Sequence, residues 1–300
     1  MGTPEFSVPI LKSLYQNGYP VSTVYTQIPK KSSRGQKITK SPIHKISELL
    51  NIEVRTPDTL KNNKIEYDYL KKLEADIAIV VAYGQIIPAN FLNLPKKGFI
   101  NIHGSLLPKY RGAAPIQRSI MNLEKKSGIS IMKIINKLDA GPVCNKYEIE
   151  IKSNYNSEIL SEKLSSLASE KILDNIDNIF EDKAQFHEQD HDKASYAKKI
   201  DKAESKINWN LSADLILGKI NGLYPSPGAC FYFNSVRYKI IEAEVSDTNG
   251  AVGFVLDDFL KIGYQTKSIN ITKIQREGKN PQKIREFMLG SMIKKGSNLN

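Results

Sequence analysis

GFINIHGSLLPKYRGAAP, residues 98–115, begins like a buried strand and ends like nothing regular. Its first six residues are apolar or β-branched except for Asn101 and His103, two positions apart. Side chains alternate along a strand, so Phe99, Asn101 and His103 share one face, and Ile100 and Ile102 share the other. The polar pair therefore points one way from the strand's carboxyl end. In open α/β sheets, ligands bind at that end. An amide and an imidazole there can hydrogen-bond a carbonyl oxygen as its carbon becomes tetrahedral. They can equally cap the strand and satisfy loop backbone. Beyond them, Gly104, Pro108, Gly112 and Pro115 hold the chain in turns rather than a helix. Leu106 and Leu107 read as an exposed apolar ligand face, and Lys109, Tyr110 and Arg111 as charge and stacking surface. A purely structural loop would have the same composition.

Around this stretch, strand and helix signals alternate. SVPILKSLYQNG sets Val8, Leu11, Leu14 and Tyr15 on one helical face, with Gly18 as a stop. SPIHKISELLN offers Ser41 as N-cap and Pro42 at the first helical position. YPVSTVYTQ, IEVRT, ADIAIVVAY, GISIMKII and KYEIEI read as strands, and EYDYLKKLE, APIQRSIMNLE and NSEILSEKLSSLASEKILDNIDNIFE as helices. This alternation implies a Rossmann-like parallel sheet with helices on both faces. The pattern changes after Glu181. Residues 182–206 are polar and weakly periodic, a linker. Residues 207–300 carry one helix, SADLILGKINGL, and then short strands separated by turns, as in a sandwich or a small OB-like β-barrel. The expected division is thus 1–181, 182–206 and 207–300.

Composition narrows the setting. No apolar run approaches the roughly 18 residues that cross a bilayer. The first residues include Glu5 and lack a basic segment, so no signal peptide is expected, and Phe6 stands where a myristoylation motif needs Ser or Thr. Cys144 and Cys230 are far apart, in no C-x-x-C arrangement, which suggests a reduced, cytoplasmic setting and two small core side chains. The net charge is +11, from 43 basic and 32 acidic residues. Its distribution is uneven. Between Val21 and Ser47 there is no acidic residue, whereas Lys30, Lys31, Arg34, Lys37, Lys40 and Lys45 are basic. From Lys261 onward nine basic residues face Glu277 and Glu286. Two one-signed regions favour a polyanionic partner.

KLDAGPV sets Asp139 before a small-residue turn, where a carboxylate can fix a nearby histidine's tautomer or merely brace the turn. HEQDH at 187–191 matches H-E-x-x-H in letters, but it lies in a charged linker and lacks a third ligand, so no metal is expected. Neither G-x-G-x-x-G nor a P-loop motif occurs.

Asn101-x-His103-x-Ser105-Leu106-Leu107-Pro108, then YRGAAPIQRSI, then Asp139 in LDAGPV, resembles the folate-dependent formyltransferases. GTPEF, VVAYGQIIP and INWNLSA are similar to the members that act on an aminoacylated initiator tRNA. The resemblance spans nearly the whole chain. It implies 10-formyltetrahydrofolate as formyl donor and, as acceptor, the α-amino group of methionine on initiator tRNA. It implies that His103 polarises or protonates the formyl oxygen, that Asn101 hydrogen-bonds it, and that Asp139 orients His103 and helps move the proton. It places Ser105, Leu106, Leu107 and Pro108 along the folate and the Tyr83-Gly84 turn near the pterin. It assigns the basic loop 28–41, with Lys30, Lys31, Arg34, Lys37 and Lys40, to the tRNA acceptor end, a role that suits a flexible cationic arm. A monomer is expected.

One departure stands out. Family members carry a strand ending in FAGTP, whereas here GTP follows Met1 directly. The expectation is a sheet without its first strand, with two unpaired edges and a start assigned too far downstream. Other acceptors on the same module, a small amine or sugar nucleotide, or water in a hydrolase, are the alternatives, as is a noncatalytic tRNA-binding protein.

Overall fold

A computed structural model describes residues 1–32, 37–264 and 266–299. Its contacts divide the chain into two compact units. The first comprises Met1–Pro115, Ser127–Ile149 and Ser161–Ala197; the second comprises Ile116–Lys126, Glu150–Leu160 and Lys198–Asn300. Residues 182–197 of the expected linker thus pack within the first unit.

In chain order the elements of the α/β part are α1 (Val8–Gln16), β1 (Thr23–Tyr25), β2 (Lys30–Ser32), β3 (Lys37–Thr39), α2 (Pro42–Leu49), β4 (Glu53–Arg55), α3 (Lys64–Leu73), β5 (Ala78–Val80), β6 (Phe99–His103), α4 (Pro115–Met121), β7 (Lys126–Lys133), β8 (Val143–Glu150) and α5 (Ser157–Phe180). Local chemistry sets the helix starts. Ser41 Oγ accepts from the His44 amide at the head of α2, with Pro42 in the first turn, and Asn63 Oδ1 accepts from the Glu66 amide at the head of α3. β1 pairs with β4 and β5 with β6, both parallel, whereas β7 runs antiparallel to β6 and β8 follows β7 at the edge. An antiparallel edge on a parallel sheet is a common end to such folds.

The slot between β1 and β5 is the place the sequence leaves without a strand. Met1 and Gly2 occupy it. The Gly2 amide donates to Tyr25 O at 2.9 Å, the Val81 amide donates to Met1 O at 2.8 Å, and the Met1 amino group donates to Ile79 O at 2.6 Å. Two residues thus join the β1–β4 ribbon to the rest of the sheet and give partners to backbone groups on both sides. No side chain fits at Gly2, where a Cβ would stand 2.7 Å from Ser7 Cβ and 3.0 Å from Val81 O.

β6 is buried along its whole length. Ile100 packs with Ile131 and Ile179 on one face of the sheet. Phe99, on the other face, packs with Tyr25, Leu70, Tyr83 and Phe91. Each such side chain contributes about 1.5–3 kcal/mol when fully buried. That double burial fixes register, and register carries Asn101 and His103 to the Phe99 face.

The second unit contains α6 (Ala213–Gly222), β9 (Cys230–Phe233), β10 (Val236–Ser246), β11 (Lys261–Tyr264), β12 (Lys267–Arg276), β13 (Gln282–Lys283) and α7 (Ile284–Leu289). Its antiparallel sheet runs β11-β12-β10-β9, with β13 also on β12. A register shift between Ile240 and Ala243 bends β10. The expected barrel is therefore a curled half-barrel. Its concave core gathers Trp209, Phe231, Tyr238, Ile262, Ile271 and Phe287, and the Trp209 indole donates to Leu299 O at 2.9 Å. Within this unit Arg118 of α4 grips Glu204, with Nη1–Oε2 at 2.5 Å and Nη2–Oε1 at 2.9 Å, and it also donates to Lys198 O and Lys199 O.

The Arg118 guanidinium holds the Glu204 carboxyl at about 2, below its usual 4.5. A lowered carboxyl pKa adds stability that is fully present above the unfolded value and is lost as pH falls through the folded one. Glu204→Gln is expected to cost about 1–2 kcal/mol at pH 7, with the difference narrowing between pH 4.5 and pH 2. Urea unfolding of both proteins at pH 7 and at pH 3 checks this; a gap unchanged with pH rules it out.

Candidate active site

Asn101 and His103 both lie at the carboxyl end of β6 with little exposure, 9% and 6%. The Tyr110 carbonyl lies 2.9 Å from His103 Nε2. A carbonyl can only accept, so Nε2 carries a hydrogen and Nδ1 is the nitrogen left for chemistry. Nδ1 faces Asp139 Oδ2 at 3.8 Å, too long for a hydrogen bond but close enough for a carboxylate to stabilise an imidazolium. Asn101 Nδ2 reaches Asp139 Oδ1 at 3.5 Å, and the Gly112 amide donates to Asp139 Oδ2 at 2.8 Å. The sequence reading expects Asp139 to orient His103; the direct anchor is instead Tyr110 O, with Asp139 opposite the other nitrogen.

Two special backbone positions make this possible. Asp139 adopts φ +44° and Tyr110 φ +61°. An Asp tolerates the left-handed region; a Tyr does so rarely and only when its surroundings impose it. Here the surroundings are residues 195–197. The Tyr110 amide donates to Ser195 Oγ at 2.9 Å and the Arg111 amide to Ser195 O at 2.8 Å, while the Ala197 amide returns a bond to Arg111 O at 2.7 Å. Behind Asp139, Gly141 lies against β7, where a Cβ would stand 2.0 Å from Lys133 O.

The loop after His103 is pinned from within. Ser130 Oγ donates to Ser105 O at 2.7 Å and accepts from the Leu107 amide at 3.0 Å, and Ser105 Oγ donates to Lys109 O at 2.6 Å. This corrects two sequence expectations. Leu107 is not an exposed ligand face: it is buried against Met132 and Val143. Arg111 is not surface charge: its side chain is among the largest fully buried ones, at 1% exposure. Ser105 is buried too, so its side chain braces the loop from behind. Leu106 and Pro108 remain half-buried, with Leu106 lying over Gly128.

The Tyr83-Gly84 turn stands at the end of β5. Thr3 Oγ1 donates to Tyr83 O at 2.8 Å, and Gln27 Nε2 lies 3.3 and 3.2 Å from Tyr83 O and Gly84 O. Gly84, at φ +83°, leaves room for Gln27, whose Nε2 a Cβ would approach to 2.1 Å. The Tyr83 ring is buried in the Phe99 cluster, and burial pushes its phenol pKa up. The other amide atom of Gln27 accepts from Lys30 Nζ at 2.6 Å, at the base of the β2–β3 hairpin. In that hairpin Lys31 pairs with Ile38 and Lys37 with Ser32 through the backbone. Lys40, exposed, pairs with Glu48 at 2.6 Å. Arg34 lies outside the described residues.

His187 pairs with Val143 through its backbone, and among the described residues no cluster of three or more His, Cys, Asp or Glu side chains could hold a metal ion. Gln189 and His191 of HEQDH turn to Arg111 instead. Sequence reasoning missed this contact, since a polar linker residue carries no local sign of a partner 78 positions away.

An amide and an imidazole at the carboxyl end of a sheet strand, with a carboxylate opposite, make a site for transfer at a carbonyl carbon. The chain belongs to the formyl transferase family: the family's model, Formyl transferase, matches residues 1–176, and Formyl transferase, C-terminal domain, matches residues 199–292. Among its relatives, the chain is 63% identical over 300 residues to methionyl-tRNA formyltransferase of Pelagibacter ubique (strain HTCC1062), covering 100% of this chain and 97% of that one. It is 42% identical over 300 residues to methionyl-tRNA formyltransferase of Rickettsia massiliae (strain Mtu5), covering 98% and 97%. Among solved structures, WlaRD, a sugar 3N-formyl transferase crystallised in the presence of dTDP and 5-N-formyl-THF, shares the fold with a TM-score of 0.69 at 21% identity, over 93% of this chain and 97% of that one.

Gly112 joins the two halves of the site, since its amide holds Asp139 and its φ is +116°. A Cβ there would stand 2.8 Å from Ala197 O. Gly112→Ala is expected to destabilise the protein by about 1–3 kcal/mol and to lower turnover more than substrate affinity. Chemical denaturation and steady-state kinetics test both; unchanged turnover in the folded variant counts against the bridge.

Proposed function

We propose that the chain transfers a formyl group from 10-formyltetrahydrofolate to the α-amino group of methionine on initiator tRNA, in the cytoplasm and as a monomer. The observation that carries this reading is the 63% identity to a methionyl-tRNA formyltransferase along the full chain. The convergence of Asn101, His103 and Asp139 supports it.

The bound folate supplies the formyl carbon and the leaving nitrogen. A C–N bond forms between the amine and the formyl carbon, the bond from that carbon to the folate nitrogen breaks, and one proton passes from the amine to the released nitrogen. Asn101 donates to the formyl oxygen as it gains charge, because its amide ends β6 and is held there by burial. His103 handles the proton through Nδ1, since Nε2 is committed to Tyr110 O. Asp139 faces that nitrogen and stabilises the imidazolium that forms. Leu106, Pro108 and the Tyr83-Gly84 turn offer the folate its contacts, while Ser105 and Leu107 hold the loop in shape from the core side. Lys30, Lys31, Arg34, Lys37 and Lys40 meet phosphates of the acceptor end, where a long flexible cation gains by releasing counterions.

His103→Ala and Asn101→Ala are each expected to lower formyl transfer to charged initiator tRNA by about 10²–10³-fold. The assay runs beside one with an amino-sugar nucleotide as acceptor. Substantial transfer by His103→Ala sinks the assigned chemistry, and preference for the sugar nucleotide sinks the assigned acceptor. Arg34→Ala and Lys37→Ala should each reduce the slope of log affinity for tRNA against log salt by about 1, leaving folate binding unchanged. Fluorescence titrations between 50 and 200 mM salt, on the order of the range where such slopes are read, measure it; an unaltered slope removes those residues from the interface. Light scattering of the purified protein checks the monomer.

A further inference from the structure

We infer that Gln189 is a positioning residue for formyl transfer, setting the separation of the two backbone segments that hold His103 and Asp139. This rests on the assignment of Asn101, His103 and Asp139 above.

Gln189 is buried, and its side-chain amide uses all four of its hydrogen-bonding positions. Oε1 accepts from Arg111 Nε at 3.1 Å and Nη2 at 2.7 Å. Nε2 donates to Asp139 O at 2.9 Å and to Gly141 O at 2.7 Å. Only one orientation of the amide satisfies this set. Turned over, its NH₂ would meet a guanidinium and its oxygen would meet two carbonyls. The contact is therefore directional, a polar ruler of fixed length between two loops.

What lies at each end of the ruler gives it a role. On one side, Arg111 sits between Tyr110, whose carbonyl orients His103, and Gly112, whose amide holds Asp139 Oδ2. On the other side is the Asp139–Gly141 turn, gripped by its carbonyls. Asp139 is thus held from the front through its carboxylate and from behind through its own backbone. Both grips trace to neighbouring residues of one loop. Moving that loop against the turn changes the 3.8 Å from His103 Nδ1 to Asp139 and the 3.5 Å from Asn101 Nδ2 to Asp139 together.

Arg111 supplies the tension on this ruler. Its guanidinium is buried, and its partners among the described residues are the Gln189 amide and His191, whose Nδ1 accepts from Nη2 at 2.9 Å. A buried cation held by amide and imidazole rather than by carboxylate depends on those contacts being complete. A carboxylate at position 189 would satisfy Arg111 better than the amide does. It would also remove both N–H donors and turn an anionic oxygen toward Asp139 O and Gly141 O. Holding the fold and positioning the catalytic groups therefore place opposite demands on this position.

That opposition supplies the test. Gln189→Glu keeps an acceptor for Arg111, so its melting temperature is expected to match or exceed that of the unsubstituted protein. Its kcat for formyl transfer is expected to fall about 10²-fold, the loss typical of reacting groups displaced by an ångström. KM for 10-formyltetrahydrofolate and for charged initiator tRNA should stay within about threefold, as for a group acting on the transition state only. Gln189→Met, which deprives Arg111 of its acceptor, should lose both stability and kcat. A folded Gln189→Glu with kcat within about threefold of the unsubstituted protein overturns the inference and leaves Gln189 as packing alone. The same holds if Gln189→Glu melts low yet Gln189→Met, soluble and folded, keeps full turnover. His103→Ala in parallel separates the two readings: if it stays active, the site assignment fails, whatever Gln189 does.

Discussion

Much of this structure depends on one hydrogen bond, from His103 Nε2 to the carbonyl of Tyr110. An imidazole has two nitrogens, and a reaction that moves one proton needs to know which is available. Committing Nε2 to an acceptor-only partner settles the tautomer and turns Nδ1 toward the space shared with Asn101 and Asp139. The partner is a backbone atom, so its position cannot be set by a rotamer; it is set by the path of the loop. Tyr110 must take a left-handed conformation to present its carbonyl, and that conformation must be stabilised from elsewhere. The strap at Ser195–Ala197 does so, which explains why a stretch that looks like a linker is bonded into the catalytic unit.

The same logic accounts for the sheet. His103 is held by β6, and β6 by the burial of Ile100 on one face and Phe99 on the other. Met1 and Gly2 join the β1–β4 ribbon to β5 through backbone hydrogen bonds. Those two residues also lead into Thr3, whose hydroxyl holds the Tyr83 carbonyl at the neighbouring strand end. A gap in the middle of the sheet would therefore loosen the turn beside the site, not only the core beneath it.

Strand alternation made Asn101 and His103 legible: a buried β-pattern interrupted twice on one face has few readings. The N-cap at Ser41 was legible for a similar reason, because capping is local chemistry. What failed were inferences from residue type to surroundings. Arg111 read as surface because arginines are mostly exposed, and Leu107 read as ligand-facing because it sits among turn residues. Both are buried by partners distant in sequence, Gln189 for one and Val143 for the other. Gln189 and His191, read as part of a charged linker, bond to Arg111 about 80 positions away, a link that local letters do not encode. The small barrel-like sheet expected after Lys206 was legible in its short strands and turns, whereas the bulge in β10 was not, since alternation does not encode it.

Burying Arg111 without a carboxylate has a cost that a stability argument alone would remove by substitution. The carboxylate of the site, Asp139, faces His103 instead. If Arg111 paired with Asp139 directly, the acid would be neutralised as a partner for an imidazolium and drawn away from Nδ1. An amide between them transmits position without transmitting charge: Gln189 fixes where Asp139 stands while leaving its negative charge to act on His103. Neutral partners around a buried guanidinium are thus consistent with catalysis and hard to explain by folding, and the price in stability is the sign of which demand has prevailed at this position.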